Sequence, residues 1–179
     1  MTQRMTEERE RERRRAIVTA ARWCFLHFGY GKTSLDDIAK RAHISRPLIY
    51  KTFENKEEIY RAVIEDGFES RFPVAEKVLA GAGGKLEKLT RLSEIMMLEP
   101  WTEMVGAPMA AEFYETCEKV CPELGSKQQR RMVKLLQEIL GSKELAEVFL
   151  LAVYGMLEDL PSAALLRRRL LLLAERFLA

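Results

Sequence analysis

The segment Thr33–Phe53, TSLDDIAKRAHISRPLIYKTF, constrains this chain most, because it reads as two short helices around a tight turn. Thr33 or Ser34 suits an N-cap, with Asp36 or Asp37 three residues on at capping-box spacing. Leu35, Ile38, Ala39 and Ala42 then share one helical face. His43-Ile44 breaks the period, and Ser45 can cap a second helix that turns Leu48, Ile49 and Phe53 inward. Pro47 falls in the first turn of that helix, where a missing N–H loses no intrahelical partner. Arg46, Pro47, Tyr50, Lys51 and Thr52 are left outward. Such groups reach phosphates and base edges when a helix-turn-helix presents them in the major groove of double-stranded DNA.

The segment is similar to the N-terminal DNA-binding domain of the tetracycline-repressor (TetR/AcrR) family of bacterial transcription regulators. The resemblance begins with an amphipathic helix ending in Phe28-Gly29-Tyr30-Gly31. It takes in Thr33-Ser34, Asp37-Ile38-Ala39, Ile44-Ser45, Leu48-Ile49-Tyr50 and Phe53, and closes on Asn55-Lys56-Glu57-Glu58 and the helix that follows. It covers about the first third of the chain with many ordered positions. His43 stands where the family often has Gly, and Leu48 where Ser or Thr is common. The resemblance implies an all-α protein: a three-helix helix-turn-helix domain followed by a helical ligand-binding and dimerisation domain. It also implies that Lys56 meets DNA phosphate, and that the helix it opens carries a ligand signal to the reading head.

Charge is divided along the chain. The net charge is only +2. Residues 1–56, however, carry 13 Lys/Arg against 7 Asp/Glu, and the remainder 16 against 20. A basic first third on an acidic remainder fits a nucleic-acid module joined to another part. Residues 4–15, RMTEERERERRR, read as a solvated helical extension held by i,i+3 and i,i+4 pairs. The other reading is an arm placing Arg13, Arg14 and Arg15 on phosphate or in the minor groove. The division expected is therefore a charged extension over 1–12, a DNA-binding domain over 13–60, and a regulatory and dimerisation domain over 61–179.

Ile17, Ala21, Cys24 and Phe28, flanked by Ala20 and Phe25, mark a scaffold helix that Gly29 and Gly31 end as left-handed caps. Asn55 caps the next helix, with Glu58 at the reciprocal position and Ile59, Val63, Ile64 and Phe68 inward. Gly81–Gly84 is a turn, since it lacks the Lys-Ser/Thr of a phosphate loop. Helices are expected over Lys85–Leu98, Trp101–Val120, Lys127–Leu140, Lys143–Leu157 and Ser162–Leu178, and no strand-like alternation stands out between them, so the chain reads as all-α. The last two are apolar around most of their circumference, which calls for cover on every side. A homodimer through about 143–157 and 162–178 supplies that cover, and in the family the last two helices form the dimer interface.

An unknown small-molecule effector fits best among Met97, Trp101, Met104, Phe113, Tyr114 and Cys117, with Met96 and Met109 nearby. Met and aromatic side chains adapt to varied apolar ligands, and are equally ordinary core. Glu103, Glu112 and Glu115 can select a cationic ligand or simply stay solvated. Three cysteines, Cys24, Cys117 and Cys121, argue against a disulfide framework. The charged N-terminus has no apolar run behind it, and no stretch reaches the roughly 20 apolar residues of a spanning helix. A cytoplasmic protein off the membrane is expected.

The reading is a sequence-specific DNA-binding regulator: a homodimeric repressor of a palindromic operator, released by the effector. Its DNA contacts are Thr33, Ser34, Ser45, Arg46, Pro47, Tyr50, Lys51, Thr52 and Lys56. No cofactor, metal or catalytic residue is expected, because His27 and His43 lie far in sequence from the cysteines and form no nucleophile–base set. Two alternatives stand beside it. One is a thiol- or metal-responsive sensor through Cys117/Cys121, and the other a helical dimerisation protein without specific DNA binding.

Overall fold

The structure, a computed structural model, describes residues 2–179, with side chains from residue 4 onward. Met1, part of the expected extension, lies outside the described residues. Among the described residues all regular structure is helical, in eleven α-helices and one π-helical turn. Two compact units divide the chain: residues up to Asp66 with Gly106–Leu124, and Gly67–Val105 with Gly125–Ala179.

The first unit holds α1 (Thr2–Phe28), α2 (Leu35–Ala42), α3 (Arg46–Tyr50), most of α4 (Lys56–Glu69) and α8 (Ala110–Val120). The charged run and the scaffold helix are one continuous α1. Its core stripe is Ile17, Val18, Ala20, Ala21, Cys24, Phe25 and Leu26. Phe28, expected inward, is instead exposed, because α1 ends there and Gly29 turns the chain away at φ 84°. Gly31, expected as a second left-handed cap, does not have a positive φ. One reversal at Gly29 suffices, since both the Thr33 N–H (3.1 Å) and the Thr33 hydroxyl (2.7 Å) donate to the Gly29 carbonyl.

Ser34 caps α2 through a complete capping box with Asp37. The helix ends in a left-handed residue, His43, at φ 54°, with Ile44 N–H donating to Ala39 O and His43 N–H to Lys40 O. This Schellman pattern satisfies the last carbonyls and reverses the chain into α3. In α3, Ile49 is buried, and Phe53 just beyond it is buried under the Arg14 guanidinium at 4.4 Å. Asn55 caps α4 by accepting from Glu58 N–H at 2.9 Å.

Residues 106–124, grouped with 61–179 in the sequence reading, pack within this first unit. The reason is an aromatic cluster: Tyr60 stands 5.3 Å, ring to ring, from each of Phe25, Tyr30 and Phe113. The buried Tyr60 hydroxyl also donates to the Phe113 carbonyl. The expected single helix Trp101–Val120 is therefore two, α7 (Glu99–Met104) and α8, separated by a segment with Gly106 at φ 92° and Pro108.

The second unit contains α5 (Phe72–Ala80), α6 (Lys85–Ser93), the π-helical turn Glu94–Leu98, α7, most of α9 (Pro122–Leu140), α10 (Lys143–Gly155) and α11 (Ala163–Leu178). α5 has no counterpart among the expected helices, and α9 starts at Pro122, five residues before the expected Lys127. Ser142 and Ser162 cap α10 and α11 by accepting from Leu145 N–H and Leu165 N–H. The core joins Phe72, Leu92, Trp101, Leu136, Phe149 and Leu170. Trp101 is satisfied by donating from Nε1 to the Pro161 carbonyl at 2.8 Å. On α10 the buried face is Ala146, Phe149, Leu150 and Val153. Leu145, Val148, Leu151 and Tyr154, with Leu171 and Leu172 of α11, remain exposed. No described helix is long and apolar enough to cross a membrane.

Candidate nucleic-acid interface

The candidate interface comprises α2, the reversal at His43, α3 and the start of α4. Arg46 and Pro47 open α3 and, with Tyr50 and Lys51, are exposed. Ser45 occupies the N-cap with an extended backbone but makes no side-chain cap bond. Thr52, half-buried, turns its hydroxyl back to the Leu48 carbonyl at 3.0 Å. That back-bond is a local satisfaction common for Thr near a helix end.

Arg46 makes two side-chain contacts. Nη1 pairs with the Asp36 carboxylate at 3.2 Å, and Nη2 donates to the Tyr50 hydroxyl at 3.3 Å. The Tyr50 hydroxyl and the Asp36 charge hold the guanidinium further into its charged form. All three groups are exposed, so the pair contributes little to stability. It does fix where the guanidinium stands between the two helices, with donors of its planar fork left over for an acceptor.

Other expected contacts are engaged within the protein. Thr33 is buried, with its hydroxyl on Gly29. The Ser34 hydroxyl and N–H both donate to Asp37 Oδ2, at 2.6 and 2.9 Å, and hold that carboxyl below its ordinary range. Lys56, half-buried, donates from Nζ to the carbonyls of Tyr30 (2.7 Å) and Thr33 (3.1 Å) and lies 4.4 Å from the centre of the Tyr30 ring. An ammonium so placed pins the α1–α2 loop to the start of α4. Glu112 holds the same loop from the other side by accepting the Tyr30 N–H at 2.9 Å. Sequence reasoning treated Glu112 as a candidate for cationic ligands. Its partner is 82 residues away, so no local signal could have found the bond.

The expected effector residues fall in both units. Met97, Trp101 and Met104 belong to the second, where Trp101 and Met104 are buried and Met97 half-buried. Phe113, Tyr114 and Cys117 belong to the first, where Phe113 is core and Tyr114 exposed. Glu103 pairs with Arg71 at 2.7 Å and Glu115 with Lys119 at 3.7 Å. Sequence reasoning missed Gln128 of α9. It is 3% exposed, and neither its amide nitrogen nor its amide oxygen has a partner among the described residues. Also among the described residues, no group of three or more His, Cys, Asp or Glu is placed to hold a metal ion.

Comparison with known proteins falls on the same N-terminal segment. The sequence pattern described as "Bacterial regulatory proteins, tetR family" matches residues 17–63, the stretch from α1 into α4. The HTH-type transcriptional activator FasR of Mycolicibacterium smegmatis is 41% identical over 54 residues, 30% of this chain and 25% of that protein. The negative transcriptional regulator IcaR of the biofilm operon icaADBC, from Staphylococcus epidermidis, is 42% identical over 52 residues, 29% of this chain and 28% of that one. The chain thus spans about a quarter of the length of these curated relatives. The crystal structure of a TetR-like transcriptional regulator from Rhodococcus sp. RHA1 superposes with a TM-score of 0.67 at 25% identity, over 93% of this chain and 95% of that one.

Proposed function

We propose that this chain is a transcriptional regulator of the TetR/AcrR family, a homodimeric repressor that reads a palindromic operator through α3. The observation that carries the reading is the exposed group Arg46, Pro47, Tyr50 and Lys51 on a helix whose entry is fixed by a capped α2 and a left-handed reversal. Arg46 reads a base edge or a phosphate, since a guanidinium forks onto guanine. Tyr50, Lys51, Ser45 and the exposed Ser34 take the backbone. Lys56 and Thr33 position the loop and offer phosphate only what their internal bonds leave.

The dimer forms through α10 and α11. Val148 and Leu151 are 54% and 61% exposed, and Leu172 is 53% exposed, on helices whose opposite faces are core. An apolar surface of that kind is stabilised by a second copy. The effector enters the second unit beside Gln128. The buried polar side chains of that unit are the neutral Ser93 and Gln128, so a neutral molecule offering Gln128 both a donor and an acceptor fits best. Such a ligand releases DNA only to the extent that it binds the free shape more tightly than the DNA-bound one.

The test is selection of bound duplexes from a random-sequence pool by the purified protein at near-physiological salt. Recovery of a palindrome supports the reading. Recovery of no motif, with binding that fades steeply as salt rises, leaves electrostatic attraction alone and removes it.

A further inference from the structure

Cys117 and Cys121 are not used by the DNA-reading surface. They sit one helical turn apart at the end of α8, with their sulfurs 3.8 Å from each other. The Cys121 N–H still closes the last turn on the Cys117 carbonyl at 2.9 Å. Their Cα atoms are therefore about 6 Å apart, the span of four helical residues, within the range that a disulfide bridges. Cys117 is half-buried and Cys121 fully buried. Cys24 lies in the α1 core. Two thiols fall short of a tetrahedral metal site, and no third ligand joins them among the described residues.

We propose that Cys117 and Cys121 form a reversible dithiol–disulfide modification site, oxidised by hydroperoxides. Burial raises the pKa of the more accessible Cys117 thiol, so its attack on a peroxide oxygen runs slowly, through the small fraction present as thiolate. The O–O bond breaks, an alcohol or water leaves after taking a proton, and Cys117 becomes a sulfenic acid. Cys121 then attacks Sγ of Cys117 as its thiol gives up its proton to the departing hydroxyl. The S–O bond breaks, the hydroxyl leaves as water, and the disulfide forms. In total two thiols lose two hydrogens and two electrons, and the peroxide gains them.

The bond reaches the reading head through contacts within the first unit. Closing the sulfurs from 3.8 Å to the disulfide length of about 2.05 Å displaces Cys121. Cys121 lies between the two acceptors of Arg61, the Val120 carbonyl at 3.1 Å and the Glu123 carboxylate. Arg61 is on α4, and Lys56 at the start of α4 grips the Tyr30 and Thr33 carbonyls that lead into α2. Oxidation therefore loosens the support of the α1–α2 loop. This consequence for DNA rests on the proposed operator reading, whereas formation of the disulfide does not.

The experiment treats the full chain with hydrogen peroxide, blocks free thiols and digests with trypsin. Lys119 lies between the two cysteines, so cleavage after it leaves their peptides joined only by a disulfide. The expected result is a joined pair that a thiol reductant separates, with Cys24 still alkylated once the protein is unfolded. Cys121→Ser stops at a sulfenic acid that a 1,3-dione traps on Cys117. Separate peptides throughout, over-oxidation of Cys117 in the parent protein, or a link to Cys24 would overturn the site. With the selected operator, the oxidised protein binds roughly tenfold more weakly, and Cys117→Ser is insensitive to peroxide. Equal binding by both forms, with the disulfide present, would overturn the coupling to DNA and leave the operator reading intact.

Discussion

The Glu112 carboxylate accepts the backbone N–H of Tyr30 at 2.9 Å, and the same carboxylate occupies the space that a side chain at Gly29 would need. A Cβ there would stand 2.6 Å from Glu112 Oε2, on a residue already at φ 84°. The loop before α2 and α3 thus depends on a helix about eighty residues later in the chain.

Gly29→Ala combines two costs, the left-handed strain of about 1–2 kcal/mol and the clash with Glu112. Glu112→Ala loses a charge-assisted bond of about 1.5–3 kcal/mol. In a double-mutant cycle read by urea unfolding, the pair destabilises less than the sum of the single changes, because removing Glu112 removes the clash. Additive effects would show that the added methyl group does not meet Glu112.

His43→Gly stabilises the protein. The residue has φ 54°, where a side chain costs about 1 kcal/mol and glycine does not. For a chain of this size the midpoint of thermal unfolding rises about 2–4 °C. A fall would show that the imidazole makes a stabilising contact that outweighs the strain.

Arg46→Ala and Lys51→Ala separate reading from positioning. On the selected operator, Arg46→Ala costs about 1–3 kcal/mol and relaxes preference at one position of each half-site. Lys51→Ala weakens all sequences alike and lowers the salt slope by about one unit. Competition binding against single-base variants at several salt concentrations gives both quantities.

Alkaline pH weakens the first unit. Burial pushes Cys121 from its ordinary 9.0 up to about 12, with the Cys117 sulfur adding to the rise and Arg61 opposing it. Burial also pushes Cys117 and Cys24 up, and holds Tyr60 far above its ordinary 10.0. Glu123, Glu118, Glu112 and Tyr30 are the other charged or titratable groups facing this cluster. The unfolded chain then loses these protons before the folded one does. The stability they contribute is whole below about pH 8 and declines as pH rises through 9 and 10 toward 12. Urea midpoints measured from pH 7 to 11 should fall across that window, and less steeply in a Cys117→Ser, Cys121→Ser protein.

Gln128→Leu raises stability, because it removes two buried polar atoms that have no partner. Thermal unfolding without ligand checks the gain. If Gln128 anchors the effector, the same variant also loses effector-dependent release of the operator.

The helix-turn-helix was legible because its signals are local. Ser34 and Asp37 are three residues apart, Asn55 and Glu58 three apart, and His43 sits at a break in the apolar period. The all-α class followed from the same periodicity, and the apolar excess on α10 and α11 followed from composition within single helices. Less legible were elements decided by distant partners. The interval Val105–Met109 reads as helix until Gly106 and Pro108 are weighed against what Phe113 must reach. Phe28 has the spacing of a core residue, but the chain turns at the next position.

By itself, then, the sequence determined most of the helical stretches (though not α5 or the break between α7 and α8), where several are capped, and which face of α3 is polar, since each depends on residues a turn or two apart. Only the tertiary structure decided that α8 joins the N-terminal helices through Tyr60, Phe113 and Glu112. It also decided that Lys56 and Thr33 spend their polar groups inside the protein, that Gln128 is buried unpaired, and that the sulfurs of Cys117 and Cys121 lie 3.8 Å apart. The physical reason is range. Capping and amphipathicity are set by neighbours along the chain, whereas desolvation and long-range hydrogen bonds depend on what packing brings against a group from elsewhere.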